Sequence, residues 1–140
     1  MGIVRQSNQA KKEYLRQYRH LIAEQREVEE EIHALMLDYA LPSSPGFEPH
    51  TPSGSPHDLS DYAVKCDILY DRLRRIRSDK WFTQTEIMDK IEEMGDAVER
   101  RLLYLRYIKG LGFRAIAEIL GYSEERIWHK HGDALTHFVL

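Results

Sequence analysis

All five prolines of the chain (Pro42, Pro45, Pro49, Pro52 and Pro56) lie between Leu41 and Asp58, together with Gly46, Gly54 and several serines. A proline inside a helix removes a backbone donor and clashes with the preceding turn, at a cost of about 3 kcal/mol or more. Their confinement leaves two proline-free stretches, each able to run as a long helix, joined by a partly extended, mobile spacer over 41–58. No period-two alternation of useful length occurs on either side, so strands are not expected. The fold class read from the sequence is all-α.

The two stretches carry heptad seams. Tyr14, Tyr18, Leu21, Gln25, Val28, Ile32 and Leu35 alternate spacings of four and three, with Gln25 as the one polar seam position. This predicts an amphipathic helix over 1–40. Tyr62, Cys66, Leu69, Leu73 and Ile76 repeat the spacing, and Ile87, Ile91, Met94 and Val98 resume it on a shifted register. They predict a second stalk helix over 59–95. Two pairings satisfy such seams: an antiparallel hairpin within one chain, or a coiled coil between two chains, which would make the stalk a homodimer contact.

A new element is expected at "GDAVER", residues 95–100. Gly95 interrupts the helix, and Asp96 followed by Glu99 has the spacing of a capping box. In that arrangement Asp96 accepts from the third helical N–H while Glu99 reaches back to the cap. A helix from Ala97 to about Ile108 follows, broken by Gly110 and Gly112. "FRAIAEIL" gives a short helix ended by Gly121, and Ser123 caps another. Counted from Phe113 as the first position of a helix-turn-helix, Ala117 is fifth, Gly121 ninth and Ile127 fifteenth. The fifth needs a small side chain where the helices cross, and the ninth takes a left-handed backbone that costs glycine nothing. The fifteenth fills the wedge with Ile116 and Leu120. Ala134, Leu135 and Phe138 continue the buried face of the last helix. Residues 96–140 are therefore expected to form a helix-turn-helix domain.

Its last helix presents Glu124, Glu125, Arg126, His129, Lys130 and Asp133 outward. Residues near the N-terminus of such a helix reach base edges in this motif. Arg126 suits bidentate contact with guanine, a glutamate can accept from cytosine N4, and His129 can meet a base or a phosphate. Lys109 and Arg114 flank the turn into the preceding helix and are candidates for phosphate contact. Glu124 and Glu125 also suit the first helical turn, where they offset the helix dipole. Arg100 and Arg101 are expected to be solvated or paired with Glu99 and nearby acids.

Charge bears on the partner. Residues 96–140 hold seven Lys or Arg against six Asp or Glu, while the other 95 residues hold thirteen against seventeen. The acidity sits in the stalk and spacer, and the candidate reader is only weakly basic. Few phosphate contacts imply weak nonspecific binding and a shallow salt dependence. Neither a phosphate-cradling glycine loop nor a nucleophile–base arrangement is present, so an enzyme is not expected. His129, His131 and His137 lack a cysteine or an acidic partner to complete a metal set, and surface or DNA-contacting roles are expected for them; no cofactor is implied. Cys66 is the lone cysteine, no stretch approaches the ~20 apolar residues of a membrane span, and "MGIVRQSN" lacks the apolar core of a secretory signal. A cytoplasmic protein is expected.

The stretch "RLLYLRYIKGLGFRAIAEILGYSEERIWHKHGDAL" resembles region 4 of bacterial sigma factors. The likeness rests on L-R-Y-x-x-G, the short helix "AIAEILG" and a recognition helix opening "SEERI". The whole chain resembles small phage and prophage proteins in which a coiled stalk and a Ser/Gly/Pro-rich break precede such a domain, and whose last helix carries a pattern close to "HGDAL". The resemblance implies a transcriptional regulator in the bacterial host cell that binds double-stranded promoter DNA, with host RNA polymerase as a second partner. By position it implies that Glu125, Arg126 and His129 face the bases. Glu124 stands where sigma factors often have a basic residue, and Lys130 where a buried apolar residue is usual. No counterpart of the promoter-melting sigma region is seen. The rival expectation is a protein–protein adaptor that uses the same fold to dock on RNA polymerase or another regulator without reading DNA.

Overall fold

The computed structural model describes residues 2–40 and 56–140, and every regular element among them is helical. Helix α1 spans Gly2–Ala40 and α2 spans Pro56–Glu92. Three shorter helices follow: α3 (Ala97–Leu103), α4 (Phe113–Leu120) and α5 (Glu124–His137), with a π-helical turn over Tyr104–Ile108 between α3 and α4. Residues 41–55 of the expected spacer lie outside the described residues. Helix α2 begins three residues before the expected start at Leu59, with Pro56 in its first turn, where the missing N–H is not needed.

The chain forms two compact units. The smaller unit is Ala23–Ser78, and the larger joins Met1–Ile22 to Asp79–Leu140. In the smaller unit the two stalk helices pair antiparallel within one chain. Tyr39 stacks on Tyr62 with ring centroids 4.0 Å apart, Val28, Ile32, Leu73 and Ile76 share a buried cluster, and Glu29 reaches Arg77 at 4.0 Å. Gln25 spends its amide N–H₂ on Glu29 at 2.7 Å.

In the larger unit the N-terminal half of α1 helps build the core. Leu15 and Tyr18 are buried in one cluster with Ile87, Ile91 and Met94 of α2, and with Leu102, Leu103, Ile116, Ile127, Leu135 and Phe138. Each such aliphatic or aromatic side chain removed from water contributes about 1.5–3 kcal/mol. Polar anchors add direction to the apolar packing. Lys11 Nζ donates to the carbonyl of Leu135 at 2.8 Å, Arg19 Nη1 donates to that of Ile108 at 3.3 Å, and the Tyr14 ring lies 6.0 Å from that of Phe138.

Helix α3 starts as its sequence requires. Asp96 takes an extended backbone, and its Oδ1 accepts from the N–H groups of Val98 (2.8 Å) and Glu99 (2.9 Å). The reciprocal half of the expected capping box is absent. The Glu99 carboxylate, nearly buried, accepts instead from Nδ1 of His137 at 2.8 Å, tying α3 to the end of α5. A carboxylate out of water gains more from a charged imidazole donor than from one backbone N–H. Arg100 likewise departs from expectation and donates to the Met94 carbonyl rather than pairing with Glu99. Because Asp96 satisfies two helix-end donors, Asp96→Ala is expected to cost about 1 kcal/mol, up to 2. Chemical denaturation checks this: an unchanged midpoint would show the cap to be idle.

The helix expected from Ala97 to about Ile108 covers those residues, but it widens after Leu103. The amide of Lys109 donates to Tyr104 O at 3.1 Å, five residues back, and that of Leu111 to Leu105 O at 3.0 Å. Gly110 then takes a left-handed backbone (φ 74°). A Cβ there would lie 2.5 Å from the Arg19 guanidinium carbon, so glycine meets two demands at once.

Candidate nucleic-acid interface

Helices α4 and α5 are joined by Gly121, Tyr122 and Ser123. Gly121 is left-handed (φ 77°), and its N–H closes α4 onto the carbonyl of Ala117 at 2.9 Å. The Ser123 hydroxyl accepts from the N–H of Arg126 at 3.2 Å and starts α5. Ile116 and Ile127 are fully buried, and Ala117 is buried beside them in the core cluster. The packing thus meets the small-residue, glycine and wedge requirements at the positions counted from Phe113.

Glu124, Glu125, Arg126 and His129 are exposed on α5. Glu125 and His129 are one turn apart and share a face. Arg126 and Lys130, also one turn apart, converge on the ring of Tyr122: the guanidinium carbon lies 5.4 Å from its centroid and the Lys130 ammonium 4.8 Å. Lys130 is half-buried. Arg114 is exposed on α4. Lys109, exposed at the end of the π turn, holds its ammonium 5.8 Å from the Tyr104 centroid. Tyr122 therefore gathers Arg126 and Lys130 into one cationic pair, and no contact joins Lys109 or Arg114 to it.

His131 corrects the expectation of a surface or DNA-contacting histidine. It is buried, with Nε2 2.7 Å from the Tyr107 hydroxyl and its ring 4.9 Å from that of Phe113. Burial, reinforced by the charges of Lys12, Arg106 and Arg16, pushes its pKa down to about 4, so the ring is neutral at pH 7. His137 moves the other way, raised by its hydrogen bond and ion pair with Glu99. No group of three or more metal-ligating side chains occurs among the described residues. No helix among them is long and apolar enough to cross a membrane.

Sequence reasoning passed over Trp128. Its side chain is 57% exposed, although its ring sits 4.3 Å from the ring of Phe113, over which the Arg106 guanidinium also lies at 4.3 Å. Trp81 and Phe82 are as exposed but belong to α2, so Trp128 is the large aromatic presented by the candidate reading helix. Its position next to the inward-facing Ile127, at the edge of the apolar stripe, was the available signal.

Comparison with protein-family models, with curated protein sequences and with solved structures gives no match to this chain.

Proposed function

We propose that this protein is a phage-type transcriptional regulator that binds promoter DNA through the α4–turn–α5 unit. The observation that carries the reading is the exposed N-terminal half of α5, which presents Glu125, Arg126 and His129 while Arg126 and Lys130 are gathered on Tyr122. An arginine near the start of such a helix suits bidentate contact with guanine O6 and N7, and Glu125 can accept from cytosine N4. Host RNA polymerase is the second partner in this reading.

Binding to a randomised duplex library at low salt, followed by sequencing of the retained fraction, tests it. Wild type is expected to enrich a defined sequence. Arg126→Ala should relax the preference at one base pair by about 10- to 100-fold, the usual worth of a bidentate arginine–guanine contact, and His129→Ala should weaken binding less. Absence of any enriched sequence would sink DNA reading.

The exposed Trp128 favours a second reading, an adaptor that docks on RNA polymerase without reading DNA, because tryptophan is enriched among the anchors of protein interfaces. In that case RNA polymerase is retained by wild type and by Arg126→Ala, but lost with Trp128→Ala.

A further inference from the structure

The N-terminal half of α1 places a row of cations beside α5. Residues 1–22 carry five Lys or Arg against one acid, Glu13, the most one-sided charge balance in the larger unit. That unit as a whole holds fourteen Lys or Arg against twelve Asp or Glu, whereas the smaller unit holds six against eleven. A polyanion would therefore meet attraction on the larger unit and repulsion on the smaller.

Two of these cations are occupied structurally. Lys11 closes the carbonyls of Leu135 (2.8 Å) and Thr136 (3.2 Å) at the end of α5, and Arg19 holds the carbonyl of Ile108 at the end of the π turn. These two anchors fix the intervening segment of α1 against the domain. Lys12 and Arg16 lie between them, one turn apart and therefore on one face. Arg16 is exposed, Lys12 is half-exposed, and neither forms an ion pair among the described residues. With Arg19 they form an i, i+4, i+7 row, so they share the side of α1 that Arg19 turns to the π turn at Ile108, where the neighbouring Tyr107 is bonded to His131 of α5; their charges, with that of Arg106, accordingly disfavour protonation of His131. Arg106 covers Phe113, on which Trp128 packs, so this cationic group borders α5 on its Trp128 side. Arg126 and Lys130 border the same helix on the other side, since each is separated from Trp128 by two residues, roughly half a turn. A helix seated in a major groove has a phosphodiester strand along each flank, and contacts to those strands position it without carrying sequence information.

We infer that Lys12 and Arg16 of α1 form a second contact surface for the phosphodiester backbone of duplex DNA, flanking α5 opposite Arg126 and Lys130. The N-terminal helix is then part of the DNA interface and supplies the phosphate contacts that residues 96–140 lack. The inference rests on α5 being the groove-facing helix.

The test uses the full chain with Lys12→Ala/Arg16→Ala, leaving Arg106 in place because it also packs on Phe113. Binding to the enriched duplex and to unrelated duplexes is measured across a salt series. The double variant should lose on the order of tenfold in affinity for every duplex near 100 mM salt. Its slope of log K against log salt should be shallower by about 2, with the ratio between duplexes unchanged. The charge-keeping pair Lys12→Arg/Arg16→Lys should restore both. If wild type binds duplex and the double variant matches it in affinity and slope, this surface is wrong while DNA reading by α5 stands. If wild type binds no duplex at low salt, both fail together. If wild type binds polyglutamate as tightly as duplex, and the double variant loses both equally, the surface takes an acidic protein instead and the assignment to DNA is overturned.

Discussion

Phe138→Ala should be the most damaging single truncation in the larger unit. The ring is fully buried at the C-cap of α5, 6.0 Å from that of Tyr14 on α1, so it joins segments from opposite ends of the chain. Removing a fully buried phenylalanine costs about 3–5 kcal/mol in lost transfer energy and residual cavity, against a typical domain stability of 5–15 kcal/mol. For a unit of this size the melting temperature should fall by more than about 12 °C. The next residue supplies the control. Val139 is 71% exposed, and Val139→Ala should change stability by less than about 0.5 kcal/mol. Thermal melts of both variants by circular dichroism decide the matter, and a Phe138→Ala melt within two or three degrees of wild type would contradict the packing of α1 on α5.

Acid should destabilise the larger unit through His131. In the folded protein this imidazole resists protonation until about pH 4, whereas in the unfolded chain it takes a proton near 6.5. The unfolded state therefore binds more protons throughout that window, and stability present at pH 7 is lost as the pH falls from 6.5 to 4. The full loss amounts to roughly 3 kcal/mol. His137 works with the opposite sign. Its raised pKa gives a contribution fully present below pH 6.5 and lost as the pH rises through the folded value, so it acts above the window in which His131 acts. Tyr107→Phe/His131→Phe keeps an aromatic ring at each position and removes both hydrogen-bonding partners together, leaving neither stranded. Urea titrations at several pH values should give a nearly flat profile between pH 6.5 and 4 for the double variant and a falling one for wild type. Parallel profiles would place the acid sensitivity elsewhere.

Local backbone requirements were the legible part of this fold. Asp96, Gly121 and Ser123 each answer a demand set by their immediate neighbours, a cap or a left-handed turn, and each performs it where the spacing placed it. The inward faces read from Ile116, Ile127, Leu135 and Phe138 are buried for the same reason: helical periodicity is a local property. Partnerships between distant segments were not legible. The seam holding Tyr14 and Tyr18 fits a partner helix, a second chain or a globular core equally well, and only the folded chain assigns its N-terminal part to the core around Phe138. Glu99 shows the limit within one motif. Its spacing from Asp96 fitted a capping box, but His137, far along the chain, offered a stronger partner. The π turn has no signature in "YLRYI", a run with no glycine, proline or capping side chain.

Among the candidate site residues, Glu125, Arg126 and His129 occupy the exposed part of α5 because position along a helix fixes which way a side chain points. The charge argument made from residues 96–140 alone left out Lys12 and Arg16, since sequence distance hides that the N-terminal half of α1 belongs to the same compact unit. Trp128 escaped notice because a tryptophan beside a buried isoleucine reads as core until its exposure is known.

The hydrogen bond from Lys11 to Leu135 joins residues 124 positions apart, and Leu15 and Phe138 share one core. During synthesis, the first twenty residues leave the ribosome long before the partners that cover their apolar face exist. The smaller unit, Ala23–Ser78, has all of its own partners much earlier. Closing the larger unit must wait for Phe138 to emerge, and contacts of such long sequence separation are slow to form. Until then Leu15 and Tyr18 are open to chaperones or to wrong neighbours. The N-terminal half of α1 is thus made early and packed late: it takes its place in the larger unit only after Phe138 has been added.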